Sequence, residues 1–169
     1  MNKAIYDFFT NDHRRLEDLL EKATKDMNAI DMDAYLEFRI GLLTHISWEE
    51  KVLFKAAQIA NNNVAIPLAK QLRVEHGAIT SLMVPPPNAE LFKVLKVVLE
   101  KHDLLEEEEG GMYDICEELT SGQTAEILEE LHSFPPVRVH PNKDIPLAWE
   151  AAKRACARAG WDYDEIAKS

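Results

Sequence analysis

The chain has 169 residues, 46% apolar and 29% charged, the composition of a water-soluble globular protein with room for one ordinary domain and a short appendage. Acidic residues outnumber basic ones by 30 to 19, and the basic ones are scattered rather than striped, which excludes nucleic acid as an expected partner and an anionic membrane surface with it. The opening residues Met1 to Asp7 carry no secretory signal, no apolar run is long enough to span a bilayer, and Cys116 and Cys156 are too few for a disulfide framework, so a cytoplasmic protein with reduced thiols is expected.

Helical periodicity dominates. The first segment, about residues 3–28, places Ile5, Phe9, His13, Leu16, Leu20, Ala23 and Met27 on one stripe. Asp31 and Asp33 are candidate N-caps for a second helix reaching about Ala60, with Phe38, Leu42, His45, Glu49, Val52 and Ala56 on its stripe. Asn61 to Asn63 punctuate the chain, and Asn63 is read as the cap of a third helix with Pro67 in or near its first turn. That helix carries Ala65, Leu68, Leu72, His76, Ile79 and Met83. Three prolines, Pro85 to Pro87, stop it, and Asn88 caps a fourth with Leu91, Leu95, Val98, His102, Glu106 and then Tyr113 in line. A break is expected at Gly110-Gly111, followed by helical pieces through Leu119 and at about 124–132.

Short connectors between four amphipathic helices predict an all-α, up-down-up-down four-helix bundle over residues 1–132. Residues 133–169 read as a Pro-containing extension with a helix from about Pro146 to Gly160, docked on the bundle through Trp149 and Trp161.

Each long helix places one histidine in an apolar stripe: His13, His45, His76 and His102. Glu49 and Glu106 follow two of them by four residues, on the same helix face. One such pair is weak, since a chain this rich in glutamate produces it by chance. The whole set is hard to explain as filler, because buried imidazoles and carboxylates must be paired, neutralised or metal-bound. Imidazole with carboxylate suits iron, manganese or zinc. Six donors exceed one tetrahedral zinc and suit two six-coordinate ions, each with two imidazoles, both glutamates bridging and an oxide or hydroxide completing the bridge.

The order His, His-x-x-x-Glu, His, His-x-x-x-Glu, one element per helix, resembles the hemerythrin-like (HHE cation-binding) proteins. It is carried by Asp12-His13 through Glu17, His45 through Glu50, Glu75-His76, and His102 through Glu107. The resemblance implies His13 and His45 on one iron, His76 and His102 on the other, and Glu49 and Glu106 as bridges. Where oxygen-carrying members have a further histidine one turn before the third-helix ligand, this chain has Leu72. Where they have an aspartate five residues after the fourth-helix histidine, it has Glu106 at four and Glu107 at five, so either glutamate remains a candidate. Both departures point to the non-oxygen-carrier branch. The expected function is a non-haem di-iron protein that reacts with or senses dioxygen, nitric oxide or peroxide; a catalase-like enzyme and an iron storage or delivery protein are the alternatives. Glu50, Glu75 and Glu107 adjoin ligands and are weighed as supports for the imidazoles, although such neighbours more often face solvent. His132 and His140 are read as surface residues; Tyr6, Phe9, Trp48, Phe54 and Tyr113 are candidates to line a small-ligand pocket, though at helical spacing such residues are more often core.

Overall fold

The computed structural model describes residues 2–169; Met1, at the head of the expected bundle, lies outside them. All regular structure among these residues is helical: α1 (Ala4–Thr24), α2 (Met32–Trp48), a π-helical turn (Glu49–Leu53), α3 (Phe54–Ala60), α4 (Pro67–Leu82), α5 (Ala89–Glu107), α6 (Met112–Leu119), α7 (Thr124–Ser133), α8 (Pro146–Arg158) and α9 (Tyr163–Lys168). No helix among them is long and apolar enough to cross a membrane. Two compact units result, residues 1–69 with 104–139, and residues 70–103 with 140–169.

In the first unit α1 packs on α2, α6 and α7, while α3 packs on α6 and α7 on the π turn. The α1 stripe is buried from Ile5 to Ala23, and Met27 falls beyond the helix end, 40% exposed. Glu117 of α6 accepts the Ile5 and Tyr6 N–H groups at 3.0 and 3.1 Å, satisfying two of the donors that a helix start leaves open. Gly41 lets α1 approach α2 closely; a Cβ there would meet Leu16 Cδ2 at 2.8 Å. Asp31 is the cap of α2, taking the Ala34 N–H at 3.0 Å.

The second expected helix is one path with a change of phase. At the π turn the Phe54 N–H reaches back five residues to the Glu49 carbonyl, which inserts an extra residue into the helical ladder. The buried set therefore moves from the expected Val52 and Ala56 to Val52, Leu53, Phe54 and Ala57, with Ala56 half-buried.

Asn63 is not a cap. Asn62 and Asn63 adopt φ of 57° and 61°, and their N–H groups return to the carbonyls of Ile59 and Gln58 at 3.2 and 2.9 Å, so the asparagines close α3 as a Schellman motif. Helix α4 opens at Pro67 itself, where the missing N–H costs nothing. Asn88 does cap the next helix, accepting from Leu91 N–H at 2.8 Å. At the α5–α6 break Gly110 takes φ +76°, and a Cβ on Gly111 would strike the Leu105 carbonyl at 2.7 Å.

In the second unit the tail is tied to the α4–α5 connection. The Lys143 N–H donates to the Val84 carbonyl at 2.9 Å, and Asn142 Nδ2 reaches the carbonyls of Met83, Val84 and Pro85. Lys93 of α5 donates to the Ser169 carbonyl at 2.7 Å. Trp161 and Tyr163 are buried, whereas Trp149 is half-buried with its indole N–H on Asp144. Helix α9, capped by Asp162, has no counterpart among the sequence expectations.

Candidate metal centre

Four of the six singled-out donors meet inside the first unit. His13 from α1, His45 from α2, Glu49 at the start of the π turn and Glu106 from α5 are all buried, and one ligand atom of each lies within 4.8 Å of the others. His45 Nε2 is 3.1 Å from Glu49 Oε1, and His13 Nε2 is 3.3 Å from Glu106 Oε2. In the second unit His76 of α4 and His102 of α5 are buried with ring centroids 4.8 Å apart.

Carboxylates hold the outer nitrogens of three rings. His45 Nδ1 donates to Asp12 at 2.8 Å, His13 Nδ1 to Glu107 at 2.5 Å and His102 Nδ1 to Glu75 at 2.9 Å. Each bond keeps a proton on Nδ1, so in the first unit Nε2 of both rings faces inward and is the nitrogen a metal would take. Arg15 anchors Asp12, Arg14 anchors Glu107 and Gln71 anchors Glu75. Full burial alone would push the His45 imidazole down; the negative charges of Glu49 and Asp12 outweigh it and hold the ring above its ordinary value. Partial burial would raise the Asp12 and Glu107 carboxyls, but the imidazole and guanidinium beside each hold both low.

Donors on one ion, with bonds of about 2.1 Å, lie at most about 4.2 Å apart. A cluster spanning 4.8 Å needs only a small contraction to close on an ion, so the buried groups fit a metal site. Cys116 is buried nearby but belongs to none of the groups that could hold an ion among the described residues. Burial, then the charges of Glu49 and Glu106, push its thiol far up, and it stays protonated.

Compared with known families, residues 4–111 match the hemerythrin HHE cation binding domain. The chain belongs to the hemerythrin HHE family. No curated protein and no solved structure matches it.

Membership gives this hemerythrin-like chain a cation-binding domain, typically for iron, and its buried imidazole–carboxylate groups lie within the matched residues. Leu72, in place of the further histidine of oxygen carriers, is fully buried. Glu107 is half-buried and turned to His13 Nδ1 and Arg14, whereas Glu106 is fully buried among the inward nitrogens. Glu75 and Glu107 act as supports for imidazoles rather than facing solvent, and Glu50 is half-buried. Asp12 escaped notice by sequence. A signal did exist: the acidic residue just before the first histidine of each helix pair, Asp12 or Glu75, serves the second histidine of that pair, His45 or His102. Tyr113, read as core, is fully buried with its hydroxyl among the inward donors. His132 and His140 are exposed, as expected.

Proposed function

We propose that this chain is a non-haem di-iron protein of the non-oxygen-carrier branch that reacts with or senses a small oxidant in the cytoplasm. In this reading α1, α2 with α3, α4 and α5 form an up-down-up-down four-helix bundle around two iron ions. His13 and His45 would hold one ion, and His76 and His102 the other. Glu49 and Glu106 would serve as the shared carboxylates of the two.

The observation that carries the reading is the buried quartet His13, His45, Glu49 and Glu106, a set of charges and lone pairs whose removal from water a bound cation compensates directly. Two further features support it. A carboxylate holds Nδ1 of one histidine in each pair by the same device, and Glu106 stands one turn after His102 on α5 as Glu49 does after His45. The ions would supply a ferrous–ferric couple and an attachment point for dioxygen, nitric oxide or peroxide. The chain's own part is to aim the imidazoles, keep bulk water out with Phe9 and Leu72, both 0% exposed, and restrict access to small molecules.

Metal analysis with optical spectra of anaerobic and air-exposed protein tests this. The expected result is about two irons per chain, as two octahedral ions require, with a spectrum that changes on exposure to air. One zinc per chain from iron-replete preparations would overturn it. Glu49→Ala and Glu106→Ala should each lower occupancy of both ions, while His13→Ala empties mainly one. Rapid peroxide turnover would move the assignment to a catalase-like enzyme, and loss of iron to a competing acceptor without oxidant would move it to iron delivery.

A further inference from the structure

One further atom reaches the first-unit quartet and belongs to none of the six expected ligands. Tyr113 Oη lies 2.5 Å from Glu49 Oε1, 3.0 Å from Glu106 Oε2 and 3.1 Å from Nε2 of both His13 and His45. With Nδ1 of both rings engaged by Asp12 and Glu107, all four are atoms that can offer an electron pair to a cation. The phenol has a single proton, and the shortest approach assigns it to Glu49. Its oxygen also lies at hydrogen-bonding distance from Glu106 Oε2 and from both inward nitrogens. A multivalent cation among these five atoms would be met by an electron pair from each.

The distances also have the right pattern. Bonds of about 2.1 Å put neighbouring donors about 3.0 Å apart and opposite donors about 4.2 Å apart. Three of the four Tyr113 distances, 3.0 to 3.1 Å, match the neighbouring separation, and the fourth, 2.5 Å, is the hydrogen bond to Glu49, which is also far below the opposite separation. A donor adjacent to four others is the apex of a square pyramid. The ring is held in this pose: Phe9 stacks on it with centroids 5.1 Å apart, and Tyr6 meets it edge-on at 6.3 Å. The family match ends at residue 111, so Tyr113 is not among the matched residues.

We propose that Tyr113 is a fifth protein ligand, binding as phenolate at the apex of the iron held by His13, His45, Glu49 and Glu106. As the Oη–iron bond forms, the Oη–H bond breaks and its proton leaves to solvent, with no electron transferred. The proposal rests on the iron reading above. It leaves that ion at most one further position, so small oxidants react mainly at its neighbour.

The test uses the full chain loaded with iron and oxidised in air, read by metal content, visible absorption and resonance Raman. The parent is expected to show a phenolate-to-iron(III) charge-transfer band with tyrosinate ring modes enhanced in resonance. Tyr113→Phe keeps its iron but loses both, whereas Tyr6→Phe keeps both. Full iron with no tyrosinate modes in the parent overturns the ligand and leaves the iron centre standing, and that measurement needs no variant to fold. A band that survives Tyr113→Phe overturns it equally. Failure of the parent to take up iron sinks the iron reading and the ligand together.

Discussion

The Nδ1 partners decide how protons and metal compete for the same rings. Metal needs a neutral Nε2, yet in the metal-free protein Glu49 and Asp12 hold the His45 imidazole above its ordinary 6.5. The stability gained from that charged ring is fully present below the unfolded value and is lost as pH rises through the folded one. Asp12, held below its ordinary 3.8, contributes stability above that value and loses it as pH falls through the lower folded one. The metal-free pair is therefore most favourable between these limits. Iron must expel the His45 proton, so apparent affinity should fall about tenfold per pH unit once pH drops below the folded His45 value, as read by chelator competition at several pH values. Asp12→Asn should weaken iron binding by about 10- to 100-fold; unchanged competition curves would show that Asp12 does not support the ligand. The histidines and glutamates were legible because a polar residue in an apolar stripe contradicts its neighbours. Tyr113 contradicts nothing, since an aromatic ring belongs in such a stripe, and its hydroxyl leaves no mark on periodicity. Asp12 lies on the adjoining, more polar face, and its place just before His13, like that of Glu75 before His76, is the mark the sequence carries of its role.

At the scale of elements, stripes of three and four residues located α1, α2, α4 and α5, because burying one helix face needs that spacing. What they missed were changes of phase and the ends. The π turn at Glu49–Leu53 has no compositional signature; it shows only as a shift of the buried set, and it begins at a residue of the buried quartet. The asparagines at 61–63 offered side chains suited to an N-cap, but their tolerance of positive φ decided their use as a helix end. A long-range contact decides the start of α1. Asn2 caps the Ala4 N–H locally, while Ile5 and Tyr6 depend on Glu117 of α6. Glu117→Ala should cost about 1–2 kcal/mol by leaving one buried and one half-buried N–H group without that acceptor. Denaturant unfolding of the parent and the variant measures this, and a difference below a few tenths would mean that water replaces the carboxylate.

For the molecule as a whole, the residues beyond the family match are tied into the matched ones. Tyr113 reaches the buried quartet, Glu117 the start of α1, and Asn142 with Lys143 the α4–α5 connection. Ending the chain at Val139 would remove α8 and α9, and with them the buried Ala152, Ala155 and Cys156 of the second unit. Such a truncation should lower Tm by more than about 5 °C and empty the His76–His102 ion before the His13–His45 ion, followed by calorimetry and metal content; an unaltered Tm would show the tail to be dispensable. The glycine break carries a different kind of consequence. Had α5 continued unbroken, residue 113 would stand about 10 Å further along the axis than Glu106, yet the break brings its hydroxyl within 3.0 Å of that carboxylate. Two heritable choices are thereby uncoupled. A one-residue insertion beside Gly110 would withdraw the tyrosine and leave four histidines and two glutamates where they are. A lineage could pass from a closed site to an open one in a single step, at a junction where no ligand has to be reinvented.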